Sequence, residues 1–275
     1  MTKKTSFGGK LYIGLVFLFL YAPIAVLILF SFNSGKSTAV FEGFSLHWYG
    51  ELFRDAATLT AFKNSLIIAV VSSIISTVMG TAAATAIFGY KNKLVKSSVM
   101  TVTNIPMMNP EIVTGIAMML LFVFIGGLFG KTGTLGFATL TIAHVTFELP
   151  YVILNVLPKL RQTDAHLSEA AQDLGCTPFQ AFYKVVLPAI MPGIISGLMM
   201  AFTLSIDDFI ISYFVSGTSS QTLPIRIFSM TKRRVTPDMY ALSTLIFLAI
   251  LVLLVVSNVI SSRGDKKNGK KGGAK

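Results

Sequence analysis

Six apolar stretches, each long enough to cross a bilayer as a helix, constrain this chain more than any other feature of it. A hydrocarbon core takes roughly 20 apolar residues per helix, and residues 11–32, 65–90, 100–130, 135–157, 188–214 and 240–262 each supply such a run. Charged residues make up 13% of the chain, against roughly 25% in an ordinary soluble domain. The expected fold class is therefore all-α membrane: a single polytopic domain with six transmembrane helices over residues 1–275. The first run exceeds the roughly 7–15 apolar residues of a secretory signal, so it is read as an uncleaved anchor.

Lys and Arg concentrate in cytoplasmic segments. With both termini inside, fifteen of the 23 basic residues fall on that side: Lys3, Lys4 and Lys10, then Lys91, Lys93 and Lys96, then Lys159, Arg161 and Lys184, and six in the tail 263–275. Arg226, Lys232, Arg233 and Arg234 fall outside and fit this orientation badly, but inversion would strand three other clusters. The net charge of +11 is thus a matter of topology and anionic lipid rather than of nucleic acid. The single cysteine, Cys176, excludes an intrachain disulfide, and its flanks lack metal-ligand spacing.

Gly35-Lys36-Ser37 has the ending of a phosphate-binding loop. That loop needs a second glycine five residues earlier so that backbone N–H groups can close around phosphate, and a strand before it. Position 30 is Phe30, and an apolar run precedes it. The chain is expected to carry no nucleotide site of its own.

The largest cytoplasmic loop, 158–187, has the strongest local pattern. Leu167, Ala170, Ala171 and Leu174 recur at i, i+3, i+4 and i+7 on one face of a short helix. Gly175 is placed to stop it. Thr177 then offers an N-cap, with Pro178 at the first helical position and Gln180 at the capping-box position. By pattern alone this helix, glycine turn and helix suit either an amphipathic connector on the membrane surface or a docking element.

The spacing Glu169-Ala170-Ala171, three residues, Gly175, nine residues, Val185-Val186-Leu187-Pro188 resembles the EAA loop of ABC-importer permeases, with Val185 where Ile is usual. The resemblance implies that Glu169, Ala170, Ala171, Asp173, Leu174 and Gly175 dock on a separate ATPase subunit, which would bind the ATP and Mg. Leu187 and Pro188 would hold the loop against the next span.

Four of the 12 acidic residues lie within spans, where ionisable groups are costly and mark function. Glu111 lies about 17 Å along its span by helical rise. Glu148 is a little inward of the midplane, and Asp207 and Asp208 stand near the outer end of the fifth span. Pro106 and Pro110 precede Glu111, and Pro150 follows Glu148. Prolines free backbone carbonyls, which are tolerated at depth beside a cavity. Glu111, Glu148, Asp207 and Asp208 are thus candidates for a pathway taken by a cation. The bland alternative for each is a neutralised or paired structural acid. His144 is read as a helix–helix hydrogen bonder, and Trp48 and Tyr49 as interfacial anchors.

"YAPIAVLILFSFN", "NPEIV", "LSIDDFIISYFVSG" and "LPIRIFSM" resemble the second permease subunit of bacterial spermidine/putrescine importers. That resemblance implies a type I importer fold in the bacterial plasma membrane. It also implies a homologous permease partner, two ATPase subunits and an extracellular polyamine-binding protein, with no cofactor in this chain. Glu111, Asp207 and Asp208 match the pattern of that group and Glu148 does not. Importers of ferric iron, thiamine or an anion are alternatives within the class, although four buried acids suit an anion poorly. A proton-coupled carrier using Glu111 or Glu148 would call for paired broken helices, which the sequence does not display. A scaffold would leave the acids unexplained.

Overall fold

The computed structural model describes residues 7–255, apart from 38–39, 91, 131–132, 165, 219, 233–236 and 253–254. The described chain is almost entirely helical. In order it forms α1 (Phe7–Phe30), α2 (His47–Leu52), α3 (Ala56–Gly89), α4 (Lys93–Met108), α5 (Glu111–Leu128) and α6 (Phe137–Gln162). Then come α7 (Leu167–Asp173), α8 (Pro178–Ala181), a π turn (Phe182–Val186), α9 (Leu187–Asp207), α10 (Ile210–Val215) and α11 (Leu223–Thr231). The last is α12 (Pro237–Val252).

Five helical runs are long and apolar enough to span a membrane, namely Gly8–Phe30, α3, α5, α6 and the joined run Pro178–Asp207. α12 is apolar but shorter. The expected sixth span, 240–262, extends beyond the described residues, and the tail 263–275 lies outside them.

Two expected spans are interrupted. The 100–130 stretch is two helices broken at Asn109-Pro110. Pro110 has no N–H to donate to the preceding turn, and it drives Asn109 into extended backbone (φ −80°, ψ 137°). The 188–214 stretch breaks at Asp208, where ψ is 120° and no proline is responsible. Asp208 instead turns its carboxylate onto the next helix, accepting hydrogen bonds from the amides of Ile211 (3.3 Å) and Ser212 (2.7 Å). The fifth span also starts earlier than expected, at Pro178, and passes through the π turn just before Pro188. A proline lacking its donor accommodates such a widened turn.

The chain forms two compact units. In the first, residues 7–59 with 226–251, Asn33 organises the segment after α1. Its side chain donates to the carbonyls of Ser37 and Val40 and accepts from the amide of Glu42. Trp48 Nε1 donates to the Asn33 carbonyl at 2.7 Å, and Tyr49 Oη lies 2.8 Å from Ser31 Oγ. Trp48 is therefore buried in this loop rather than spread at an interface. Asp55 caps α3 through the Ala57 amide and pairs with Arg226 at 2.9 Å. Partial burial raises the Asp55 carboxyl, but hydrogen bonds from Thr58, Arg226 and Ala57 outweigh it and leave it below its ordinary range.

The second unit, residues 60–225, is built by close helix approach. Val152 of α6 sits between two glycines: a methyl added at Gly80 of α3 would come within 2.6 Å of it, and one at Gly197 of α9 within 3.3 Å. Gly115 of α5 likewise admits Phe214 of α10. Without a hydrophobic drive between helices in lipid, small residues that let backbones meet supply the packing. One core cluster gathers Ile87, Val152, Val156, Leu160 and Ile190. A second gathers Ile68, Leu140, Ala143, Ile211 and Val215.

Gly217 closes the turn after α10 with φ +63°, and a Cβ there would strike the backbone carbonyl of Leu135. Gly217→Ala is expected to cost about 1–3 kcal/mol, read as a lower thermal midpoint of the detergent-solubilised chain. Gly89→Ala, where nothing lies within 4 Å, serves as the control and leaves the midpoint unchanged. Equal midpoints for both variants would show that the turn relaxes freely.

Candidate functional site

The two helix breaks meet around one cavity of about 360 Å³. Glu111 stands at its edge as the first residue of α5, exposed, with Asn109 and Thr114 beside it. Asn109 Nδ2 donates to Thr114 Oγ1 at 3.0 Å, which ties the break to the new helix. Opposite lie Asp207 and Asp208 from the end of α9, and Phe147 and Tyr151 of α6 form an aromatic wall. No Lys or Arg is among the lining residues. The cavity therefore presents carboxylates and ring faces, both of which attract cations.

The two aspartates, adjacent in sequence, are not equivalent. Asp207 is exposed. The Asp208 side chain is only 5% exposed, capped onto α10 by the two amide bonds and 3.5 Å from His144 Nε2. Asp208 borders the cavity while its carboxylate is engaged in the fold.

Glu148 does not join them. Its side chain is fully buried and absent from the cavity lining, because Ser72 and Ser76 of α3 donate to its two oxygens at 2.7 and 2.8 Å. The expectation that it faces the pathway is corrected by this packing. His144 is the helix–helix hydrogen bonder the sequence suggested, 2.7 Å from Ser205 Oγ and 3.0 Å from Ser212 Oγ. Tyr151, Phe147 and Asn109 were not singled out from the sequence. Tyr151 follows Pro150 directly and Asn109 precedes Pro110, so nearness to a kinking proline was the available signal.

The loop 158–187 has the local structure its sequence spells. α7 ends before Gly175 at φ +89°. The capping box at α8 is reciprocal, with Thr177 Oγ1 and Gln180 Oε1 each accepting the other residue's amide at 3.3 Å. Glu169, Ala170, Asp173, Leu174 and Gly175 are exposed. Ala171 is not, being 7% exposed. It packs inward because it lies on the face of α7 turned to the chain's own helices. Leu174, Phe179 and Tyr183 are large apolar groups at 87%, 77% and 62% exposure. Leu187 is half-buried and Pro188 exposed at the start of α9. His166, the residue before α7, hydrogen-bonds Glu169 at 3.0 Å, and that contact raises its pKa.

Helical spans, breaks lined by acids and an exposed loop define a membrane permease of the type I ABC-importer fold, and solved structures agree. A bacterial ABC transporter for the acidic polysaccharide alginate matches with TM-score 0.71 at 16% identity, over 92% of this chain and 94% of that one. The MetNI methionine ABC transporter matches with TM-score 0.59 at 18% identity, over 80% and 99%. Residues 76–267 match the family described as binding-protein-dependent transport system inner membrane component, and the chain belongs to that family. It is 39% identical over 251 residues to the putrescine transport system permease protein PotI of Escherichia coli K12, covering 91% of this chain and 89% of that protein. It is 37% identical over 250 residues to the spermidine/putrescine transport system permease protein PotC of Haemophilus influenzae, covering 91% and 95%. Two expected spans are broken, at Asn109-Pro110 and at Asp208, in a chain whose family is a binding-protein-dependent transport component.

The inequality of the aspartates is testable with thiols. In a Cys176→Ser background, Asp207→Cys is expected to react with a hydrophilic maleimide at least about tenfold faster than Asp208→Cys, as accessibility governs thiol modification. Equal rates would place both side chains in the same environment.

Proposed function

We propose that this chain is the permease subunit of an ATP-driven importer of polyamines, with Glu111 and Asp207 attracting the cationic solute in the cavity. The observation that carries this is the convergence of two helix breaks and their carboxylates on a cavity whose lining includes no Lys or Arg. The similarity to PotI and PotC supports spermidine or putrescine as the solute. The partners are a homologous permease, two ATPase subunits and an extracellular polyamine-binding protein, and both termini face the cytoplasm. ATP and Mg belong to the ATPase subunits, and no cofactor is assigned to this chain.

The proposed mechanism is alternating access. Closure of the ATPase pair pulls on the exposed residues Glu169, Ala170, Asp173, Leu174 and Gly175, and hydrolysis releases them. Pro178–Asp207 is a single helical run of 30 residues, about 45 Å by helical rise. It begins three residues past Gly175 and ends on the cavity's free aspartate. Movement at the docking loop therefore reaches Asp207 along one rod, and the π turn at Phe182–Val186 is where that rod is least regular.

Cells lacking the chain and cells carrying it back should be compared for uptake of labelled spermidine, putrescine and a ferric chelate. Restored polyamine uptake is the expected result; restoration of the ferric chelate alone would discard the polyamine assignment. In the same assay Asp207→Asn and Glu111→Gln each lower uptake about tenfold, the scale of one lost charge contact in a partly desolvated site. Glu169→Lys leaves the chain in the membrane but abolishes recovery of the ATPase subunit on co-purification. Normal recovery would remove the docking role of that face.

A further inference from the structure

The cavity leaves Glu148 and His144 unused, yet both are fully buried, a costly placement for ionisable groups in a membrane. Among the described residues no Lys or Arg forms an ion pair with Glu148; the nearest titratable contact is His144 Nδ1 at 4.0 Å. Four serines surround the pair. Ser72 donates to Glu148 Oε1 at 2.7 Å, and Ser72 Oγ lies 3.2 Å from Ser205 Oγ. Ser205 Oγ is 2.7 Å from His144 Nδ1, and His144 Nε2 is 3.0 Å from Ser212 Oγ and 3.5 Å from Asp208 Oδ2.

One direction satisfies all of these contacts once Glu148 accepts. The single proton of Ser72 goes to Glu148, and Ser205 turns its own proton toward Ser72 and that carboxylate. Ser205 then has only its lone pairs for His144, which fixes the imidazole proton on Nδ1. His144 Nε2, then without a proton, accepts from Ser212 Oγ and has none to give the Asp208 carboxylate 3.5 Å away. Both of these lie at the break between α9 and α10, where Asp208 already holds the amides of Ile211 and Ser212. The chain of bonds thus starts on α3, crosses α6 and α9, and ends on the first turn of α10. The His144 ring also meets Phe147, part of the cavity wall, edge to face at 5.2 Å.

We infer that Glu148 is a positioning residue: through Ser72, Ser205 and His144 it holds the Ser212 hydroxyl, which keeps the first turn of α10, whose amides Asp208 caps, in place at the helix break and so leaves Asp207 as the cavity's free carboxylate. Its task is to accept a hydrogen bond, and its charge is not what the site uses. That separates it from Glu111 and Asp207, whose proposed role depends on charge. The uptake part of the test rests on the polyamine reading; the structural part does not.

The test uses the full chain assembled with its partner subunits, and compares Glu148→Gln, Glu148→Leu and Ser205→Ala. Glutamine keeps the volume and a carbonyl that accepts from Ser72, whereas leucine keeps bulk and accepts nothing. Amide hydrogen exchange of a peptide spanning residues 208–215 should quicken about tenfold in Glu148→Leu and in Ser205→Ala, and stay within about twofold of the parent in Glu148→Gln. Uptake of labelled spermidine should follow the same order. Glu148→Leu combined with Asp208→Asn should be no worse than Asp208→Asn alone, and Glu148→Leu combined with Asp207→Asn should lose less than the product of the two single losses. A glutamine variant as damaged as the leucine variant would overturn the proposal, because charge would then be the working property. So would unchanged exchange at 208–215 in both Glu148→Leu and Ser205→Ala. If Glu148→Leu fails to assemble, Ser205→Ala, which loses one hydroxyl, decides alone. The expected exchange pattern in a complex that takes up no spermidine supports the positioning role and discards only the solute.

Discussion

A helix can stop inside a membrane only where the backbone groups it frees find partners in the protein. The carboxylate of Asp208, accepting from the amides of Ile211 and Ser212, meets that condition for the break between α9 and α10. Everything distinctive about the cavity follows from it. The break leaves Asp207 exposed as the last residue of α9, borders the cavity beside α6, and lets α10 pack on α5 across Gly115. At the other break, Pro110 removes a donor instead of satisfying one, and Glu111 begins the new helix where the dipole favours an acid.

Close packing then decides which polar groups see solvent. Val152 fills the notch between Gly80 and Gly197, so α3, α6 and α9 approach closely enough for serine hydroxyls to reach Glu148 directly. Larger residues at those glycines would separate the helices and leave the carboxylate without donors. Burial of Glu148 therefore depends on residues that carry no chemistry themselves. The same argument explains Ala171: a methyl facing its own chain supports α7, and the neighbouring Glu169, Ala170 and Asp173 stay exposed.

Much was legible because it was local. The apolar runs announced helices, and Gly175, Thr177, Pro178 and Gln180 spelled a turn and a capping box that formed as written. Pro110 marked a place where a helix loses a donor, although 100–130 was read as one span. The break at Asp208 carried no such mark, since an aspartate becomes a cap only when its side chain can fold back on the next helix. The span that places Asp207 and Asp208 near its outer end was read as one unbroken helix, and the helix stops between them. Trp48 misled for a related reason: its amphipathic ring suits an interface, but the Asn33 carbonyl offered its N–H a nearer partner.

The sequence by itself determined that this chain crosses a membrane as helices, that one loop is built as helix, glycine turn and helix, and that four acids lie at depth. These rest on composition, spacing and short-range hydrogen bonding, which are complete within a few residues. Only the tertiary structure decided which acids share a cavity, which one caps a helix and which one is sealed among serines. Exposure of a side chain depends on what stands opposite it, and the opposing residues lie 76 positions away in the Ser72–Glu148 bond and 133 in the Ser72–Ser205 contact.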